Sequence, residues 1–283
     1  MNKKGITLVF VHGMFCRGDH FNDLFKHFQS LGYHCMSPTL RYHDRGHDVL
    51  PDPRLATTSL VDYQQDLKEI LIKLPNPYIL MGHSMGGLVV MKAAGLKEVN
   101  PKGIILLSPA PPWGVVGITG NVLASFSEIL SKKNFWERSH AMSEEKVIWS
   151  MTSNLSPEDQ EKVYDLMGWE SGKVAFEIGF WLLDCNRGAW VNRYGINCPI
   201  TLFVGKLDRI TPHSVVKQVA KFLDVGGGWF PNIRKACWGH AQDPLPAEPH
   251  VKLIALDGLY HWLPIEMDIT LLEEEIAAMC ADI

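Results

Sequence analysis

Basic clusters are missing from this 283-residue chain: no run of Lys or Arg exceeds two residues, and 27 cationic side chains face 31 anionic ones. A nucleic-acid-binding role needs a concentrated positive surface, so that class is excluded. Long apolar runs are missing too, and nothing approaches the roughly 20 residues of a membrane-spanning helix. The first apolar run, Ile6–Val11, is short for a signal h-region, lacks a small-residue cleavage site and ends in His12-Gly13. Cysteine is sparse and unpatterned. Cys16, Cys35, Cys185, Cys198, Cys237 and Cys280 form no C-x-x-C pair and no metal-finger spacing. Without an export signal, such thiols lead us to expect a reducing, cytoplasmic compartment.

What is present is globular: 46% hydrophobic and 20% charged residues. Ile6–Val11 reads as a strand covered on both faces. Apolar residues at 21, 24, 25, 28 and 31 predict a helix over Phe21–Leu31, stopped by Gly32. A strand over Tyr33–Ser37, a helix over Leu60–Leu74 and a strand over Tyr78–Met81 follow. A helix over Met85–Leu96 and a strand over Gly103–Leu107 complete the alternation, which predicts an α/β fold: a mostly parallel central sheet with helices on both faces. At Pro109, Pro111 and Pro112 the alternation stops, and no convincing β run occurs before about Asn197. That stretch is rich in Trp, Phe and Met. Alternation resumes with Pro199–Val204, a helix over Ser214–Leu223, a strand over Val251–Leu256 and a helix near Met267–Met279; Gly226-Gly227-Gly228 marks a loop. The expected organisation is a core of residues 1–110 and 198–283, with a mainly helical cap inserted at 111–197.

The strongest motif is Tyr78-Ile-Leu-Met-Gly-His-Ser-Met-Gly-Gly-Leu88, which fits G-x-S-x-G with Gly82 and Gly86 flanking Ser84. A sharp strand-to-helix turn holds such a serine in a strained conformation, and a Cβ at either flanking position would strike backbone. The turn also points the Met85 backbone N–H, at the helix start, toward a developing oxyanion. An ordinary Gly-rich turn is the bland alternative, but strand, helix and doubled glycine coincide here. A serine hydroxyl needs a base to take its proton and a carboxylate to orient that base. Asp208 lies just past a strand end, where ligands meet open α/β sheets. Asp184 and Asp243 lack that context. Among the twelve histidines, His261 follows the last strand; its rival His240 precedes it, and the His83 side chain, one residue from Ser84, is expected to point elsewhere.

These residues occur in the order His12-Gly13, Arg45-Gly46-His47, Gly82–Gly87, Asp208 and His261, and with them the chain resembles the α/β-hydrolase superfamily of esterases and lipases over almost its whole length. The resemblance implies that His12-Gly13 helps build an oxyanion hole, with the Met14 backbone N–H as the second donor beside Met85. It also supports the order Ser84, Asp208, His261 for the catalytic set. A serine at the elbow argues against the epoxide hydrolases and haloalkane dehalogenases, whose relatives use Asp there. The expected activity is hydrolysis of a carboxylic ester with a hydrophobic or acyl group, needing no cofactor and no metal. A thioesterase, a C–C bond hydrolase and a small-molecule receptor on the same fold are the alternatives; Lys132-Lys133 is thin support for an acyl-carrier partner. His43-Asp44-Arg45-Gly46-His47-Asp48 fits no zinc spacing and reads as a solvated loop over the site. Cys16 has no adjacent base in sequence and reads as a small wall residue.

Overall fold

Strand alternation explains why the sheet is buried on both faces. The computed structural model describes residues 5–224 and 251–281. In β1 (Thr7–Val11), Leu8 and Phe10 join one core cluster while Val9 and Val11 join another. In β3 (Tyr78–His83), Ile79 and Met81 pair off against Tyr78 and Leu80 in the same way, and β4 (Gly103–Leu107) repeats the pattern. A period of two with apolar residues on both sides requires helices on both sides. They are α2 (Leu60–Leu71), α3 (Met85–Ala94) and α9 (His213–Leu223) on one face. The other face takes α1 (Asn22–Ser30) and the final helix Ile269–Met279.

With β2 (His34–Met36), β7 (Ile200–Gly205) and β8 (Val251–Leu256), the sheet runs β2-β1-β3-β4-β7-β8, and every pairing is parallel. The chain steps outward from β1 to β2, then returns to place β3 on the other side of β1. That reversal makes the β1/β3 boundary a topological switch point, where ligands bind beyond the strand C-termini. Val11 stands opposite Gly82 and His83 opposite Leu107. The segments that follow β1, β3 and β4 therefore emerge side by side.

Between β4 and β7 the chain leaves the sheet. Helices α4 (Gly120–Ser125), α5 (Ser127–Leu130), α6 (Glu144–Met151), α7 (Pro157–Asp165) and α8 (Gly172–Gly179) lie there. So do two short strands, β5 (Ser139–His140) and β6 (Glu170–Ser171), paired antiparallel. The sequence predicted no β run in this stretch; two-residue strands are too short to leave a period. Phe135, Met142, Met151 and Met167 form a third apolar cluster with Phe15, Ile210 and Trp262 from the sheet side. Trp136 and Trp149 stay on the surface. Among the described residues no helix is long and apolar enough to cross a membrane.

Candidate active site

Sterics make the turn at Ser84. A Cβ on Gly82 would stand 2.5 Å from the Gly86 carbonyl oxygen, and one on Gly86 would overlap the Val11 and His12 carbonyls. With both absent, β3 can turn directly into α3 while Ser84 takes φ 53° and ψ −122°. That left-handed conformation is strained for a non-glycine residue. It is held by three backbone bonds: Ser84 N–H donates to Leu107 O (2.9 Å), and Ser84 O accepts from Gly87 (3.0 Å) and Ala110 (2.9 Å). Met85 occupies the first position of α3, where an N–H has no intrahelical acceptor.

The segment after β1 lies against this turn. A Cβ on Gly13 would come within 3.0 Å of Ser84 Cβ. His12, fully buried, bonds the Gly13 carbonyl through Nδ1 (2.9 Å) and accepts the Leu40 N–H at Nε2 (3.0 Å). The backbone amide can only donate, so Nδ1 carries the ring hydrogen. Met14 and Ser84 line one cavity.

His261 Nδ1 lies 2.8 Å from Asp208 Oδ2, with both side chains buried. Asp208 also accepts the Ile210 and Thr211 amides at Oδ1, each at 2.8 Å, and the Thr211 hydroxyl at Oδ2 (2.9 Å). Burial works to raise the Asp208 pKa, yet the His261 charge and these hydrogen bonds outweigh it and hold the carboxyl below its usual range. Ser84 and His261 face the same cavity, so the structure brings Met14, Ser84, Met85, Asp208 and His261 together at the C-terminal edge of the sheet. Asp184 does not join them; it accepts the Asn186 and Gly188 amides of its own loop. His240 and Asp243 lie outside the described residues.

Three supporting groups were not foreseen. The Thr211 hydroxyl lies 2.9 Å from Asp208 Oδ2 and 3.0 Å from Ser108 O and shares its one hydrogen between these two acceptors, and Asp-x-x-Thr is a local spacing that signals such a turn. Glu266 accepts the Tyr260 and Trp262 amides (2.6 and 2.9 Å) and so fixes the turn presenting His261; no sequence signal marks it. His83 Nε2 donates to the His261 carbonyl (2.9 Å), so its side chain supports the base from behind. Cys16 lines the cavity, its thiol bonded to Met14 O and pushed well above the ordinary range by burial.

His43 is not in solvent as expected. It is buried, and Nε2 meets Glu170 of β6 at 3.1 Å, while Nδ1 bonds Arg41 O. Tyr63 also donates to Glu170 (2.7 Å). Among the described residues no group of three His, Cys, Asp or Glu is placed to hold a metal ion.

Burial and the His261 charge depress the His83 pKa to about 3, and burial and His43 hold His12 well below 6.5. The unfolded chain takes up these protons below about pH 6.5 and the native protein does not. Stability is therefore full above that pH and falls as pH drops toward the folded values. His83 alone accounts for about 2 kcal/mol at pH 5. His43 acts in the opposite sense, because Glu170 overcomes its burial and raises its pKa. Tm is expected to fall by several degrees between pH 7.5 and 5 by differential scanning fluorimetry; a flat Tm contradicts the buried neutral histidines.

The cavity above Ser84 is about 60 Å³, room for only a few water molecules. Its walls include Val122, Phe126, Met151, Ile178 and Ile210, and among the described residues no Lys, Arg, Asp or Glu lines it.

The chain matches the family described as serine aminopeptidase S33 over residues 2–225. No curated protein sequence matches it. Similar solved structures include a pyrethroid hydrolase from Sphingobium faniae, 16% identical with TM-score 0.64 over 98% of each chain. A methylesterase from Arabidopsis is 17% identical, with TM-score 0.65 over 98% of this chain and 99% of that one. A monoacylglycerol lipase from Paleococcus ferrophilus is 18% identical, with TM-score 0.59 over 97% and 93%. At these identities the likeness is one of fold. The family match spans most of the sequence and coincides with the elbow and the parallel sheet, so the chain belongs to the serine aminopeptidase S33 family of α/β-hydrolases and is a hydrolase.

Proposed function

We propose that the protein hydrolyses a carboxylic ester bearing a hydrophobic acyl or alkyl group. The observation that carries this reading is a strained Ser84 and an Asp208-bonded His261 opening onto one apolar, uncharged cavity. Ser84 Oγ attacks the acyl carbon while His261 Nε2 takes its proton. The negative charge that develops on the carbonyl oxygen is received by the Met14 and Met85 amides. His261 then protonates the leaving alcohol, and water, deprotonated by the same imidazole, releases the acid from the acyl-enzyme. His12, Gly13, Gly82 and Gly86 hold the backbone in place for these steps. Residues 111–197 act as the cap, and Val122, Phe126, Met151 and Ile178 are its contribution to the pocket wall. A small cavity suits a short acyl group; longer chains require the cap to shift. A cytoplasmic setting belongs to this reading, supported by unpatterned free cysteines such as Cys16, Cys35 and Cys198.

The family's description names an aminopeptidase, whose substrate presents a free ammonium. Such a cation needs a facing carboxylate, and among the described residues the cavity wall carries none besides the His261-bonded Asp208 behind it. Purified protein is therefore expected to cleave p-nitrophenyl butyrate with a kcat/KM at least about a hundredfold above that for alanine p-nitroanilide. The reverse order would replace the ester reading with the peptidase one. A butyryl thioester in the same panel separates thioesterase from esterase.

A further inference from the structure

A buried hydrogen-bond donor beside the active site has no partner. Trp262 directly follows His261 and is 2% exposed; it lines the cavity, yet its Nε1–H meets no acceptor among the described residues. The His20 ring lies against the indole, centroid to centroid 5.2 Å. His20 Nδ1 lies 3.0 Å from the Arg17 amide nitrogen, 3.2 Å from the Arg17 carbonyl oxygen and 3.6 Å from Asp19 Oδ1. His20 Nε2 is also buried without a partner. A buried donor left unmade costs more than an ordinary hydrogen bond gains, so the indole N–H needs an acceptor.

The other polar side chains of the cavity are already committed. Thr211 bonds Ser108 and Asp208, Cys16 bonds Met14 O, and His83 bonds His261 O. Apart from Ser84, His261 and the two oxyanion amides, the indole N–H is the donor left for a ligand. We propose that Trp262 Nε1–H is a recognition subsite for an uncharged oxygen, an ether, hydroxyl or carbonyl, carried on the otherwise apolar substrate. An anionic group is disfavoured there: among the described residues no Lys or Arg lines the cavity. The inference rests on the ester reading and narrows its substrate class to oxygen-bearing esters.

An oxa scan tests it. Wild type and Trp262→Phe are assayed with p-nitrophenyl hexanoate and its 3-, 4- and 5-oxa analogues, and with hexyl acetate and its oxa analogues. Each kcat/KM is divided by the ester's alkaline hydrolysis rate. In wild type one oxa position is expected to exceed its all-carbon parent by about tenfold or more, and Trp262→Phe to bring that ratio near one. No preferred position in wild type means that no substrate oxygen meets the indole N–H, and overturns the proposal. So does a preference that survives in Trp262→Phe. If that variant does not fold, the wild-type scan decides alone. Failure of the ester reading looks different: wild type then turns over none of these esters, and the inference falls with it.

Discussion

Alanine in place of Ser84 is expected to lower ester turnover by roughly 10⁶-fold while leaving the fold intact. Ser84 already carries a Cβ at φ 53°, so the substitution adds no backbone strain and removes only the hydroxyl. The bonds that lock the elbow, to Leu107 O and from Gly87 and Ala110, are backbone bonds and persist. The loss therefore reads chemistry rather than folding, provided Tm stays within about 2 °C of wild type. A fluorophosphonate probe should label wild type at Ser84, located by peptide mass spectrometry, and leave the variant unlabelled. A variant that keeps activity within tenfold would show that another residue is the nucleophile. A folded wild type that takes no label would move the receptor reading to the front.

Much of this arrangement was legible because parallel strands simplify it. Once Ile6–Val11, Tyr78–Met81, Gly103–Leu107 and Val251–Leu256 read as strands of one parallel sheet, the residues just past them fall on one edge. Gly103–Leu107 and Val251–Leu256 match the structure end to end. Helix ends were less legible. The apolar period runs on to Leu74, but α2 stops at Leu71 and Leu74 sits in the turn beyond it. The last helix begins at Ile269 rather than Met267 because Asp268 caps it, accepting the Thr270 amide. What sequence could not show is long-range pairing. His43 stands in a polar, charged stretch that reads as solvated, and it is buried because Glu170, 127 residues away, meets it. The unpartnered Trp262 indole is invisible for the same reason, whereas Glu266 acts locally, on amides four and six residues before it, in a turn that carries no recognisable sequence pattern.

Asp208→Asn should cost about 10⁴-fold in kcat and show no broad collapse of structure. The four donors around the carboxylate dictate how the amide must sit. Oδ1 takes two backbone N–H groups, from Ile210 and Thr211, which cannot become acceptors. The asparagine oxygen is therefore forced to that side, and its NH₂ turns toward Thr211 and His261 Nδ1. To accept that bond, Nδ1 must present its lone pair, so the imidazole hydrogen moves to Nε2. In that tautomer Nε2, the nitrogen proposed to take the Ser84 proton, already holds a hydrogen and cannot take another without becoming a cation. The cation in turn would lack the carboxylate that stabilises it in the wild type. The substitution thus preserves shape and reverses polarity at one atom. Its acid-stability consequence has a defined sign. A carboxyl held below its unfolded pKa stabilises the protein above about pH 3.9, and that contribution is lost as pH falls through the folded value. The variant should therefore lose part of the wild type's Tm decline below pH 4. Full activity in Asp208→Asn would mean that His261 is oriented without this carboxylate. Glu266 could not replace it without releasing the Tyr260 and Trp262 amides, which hold the turn beneath His261.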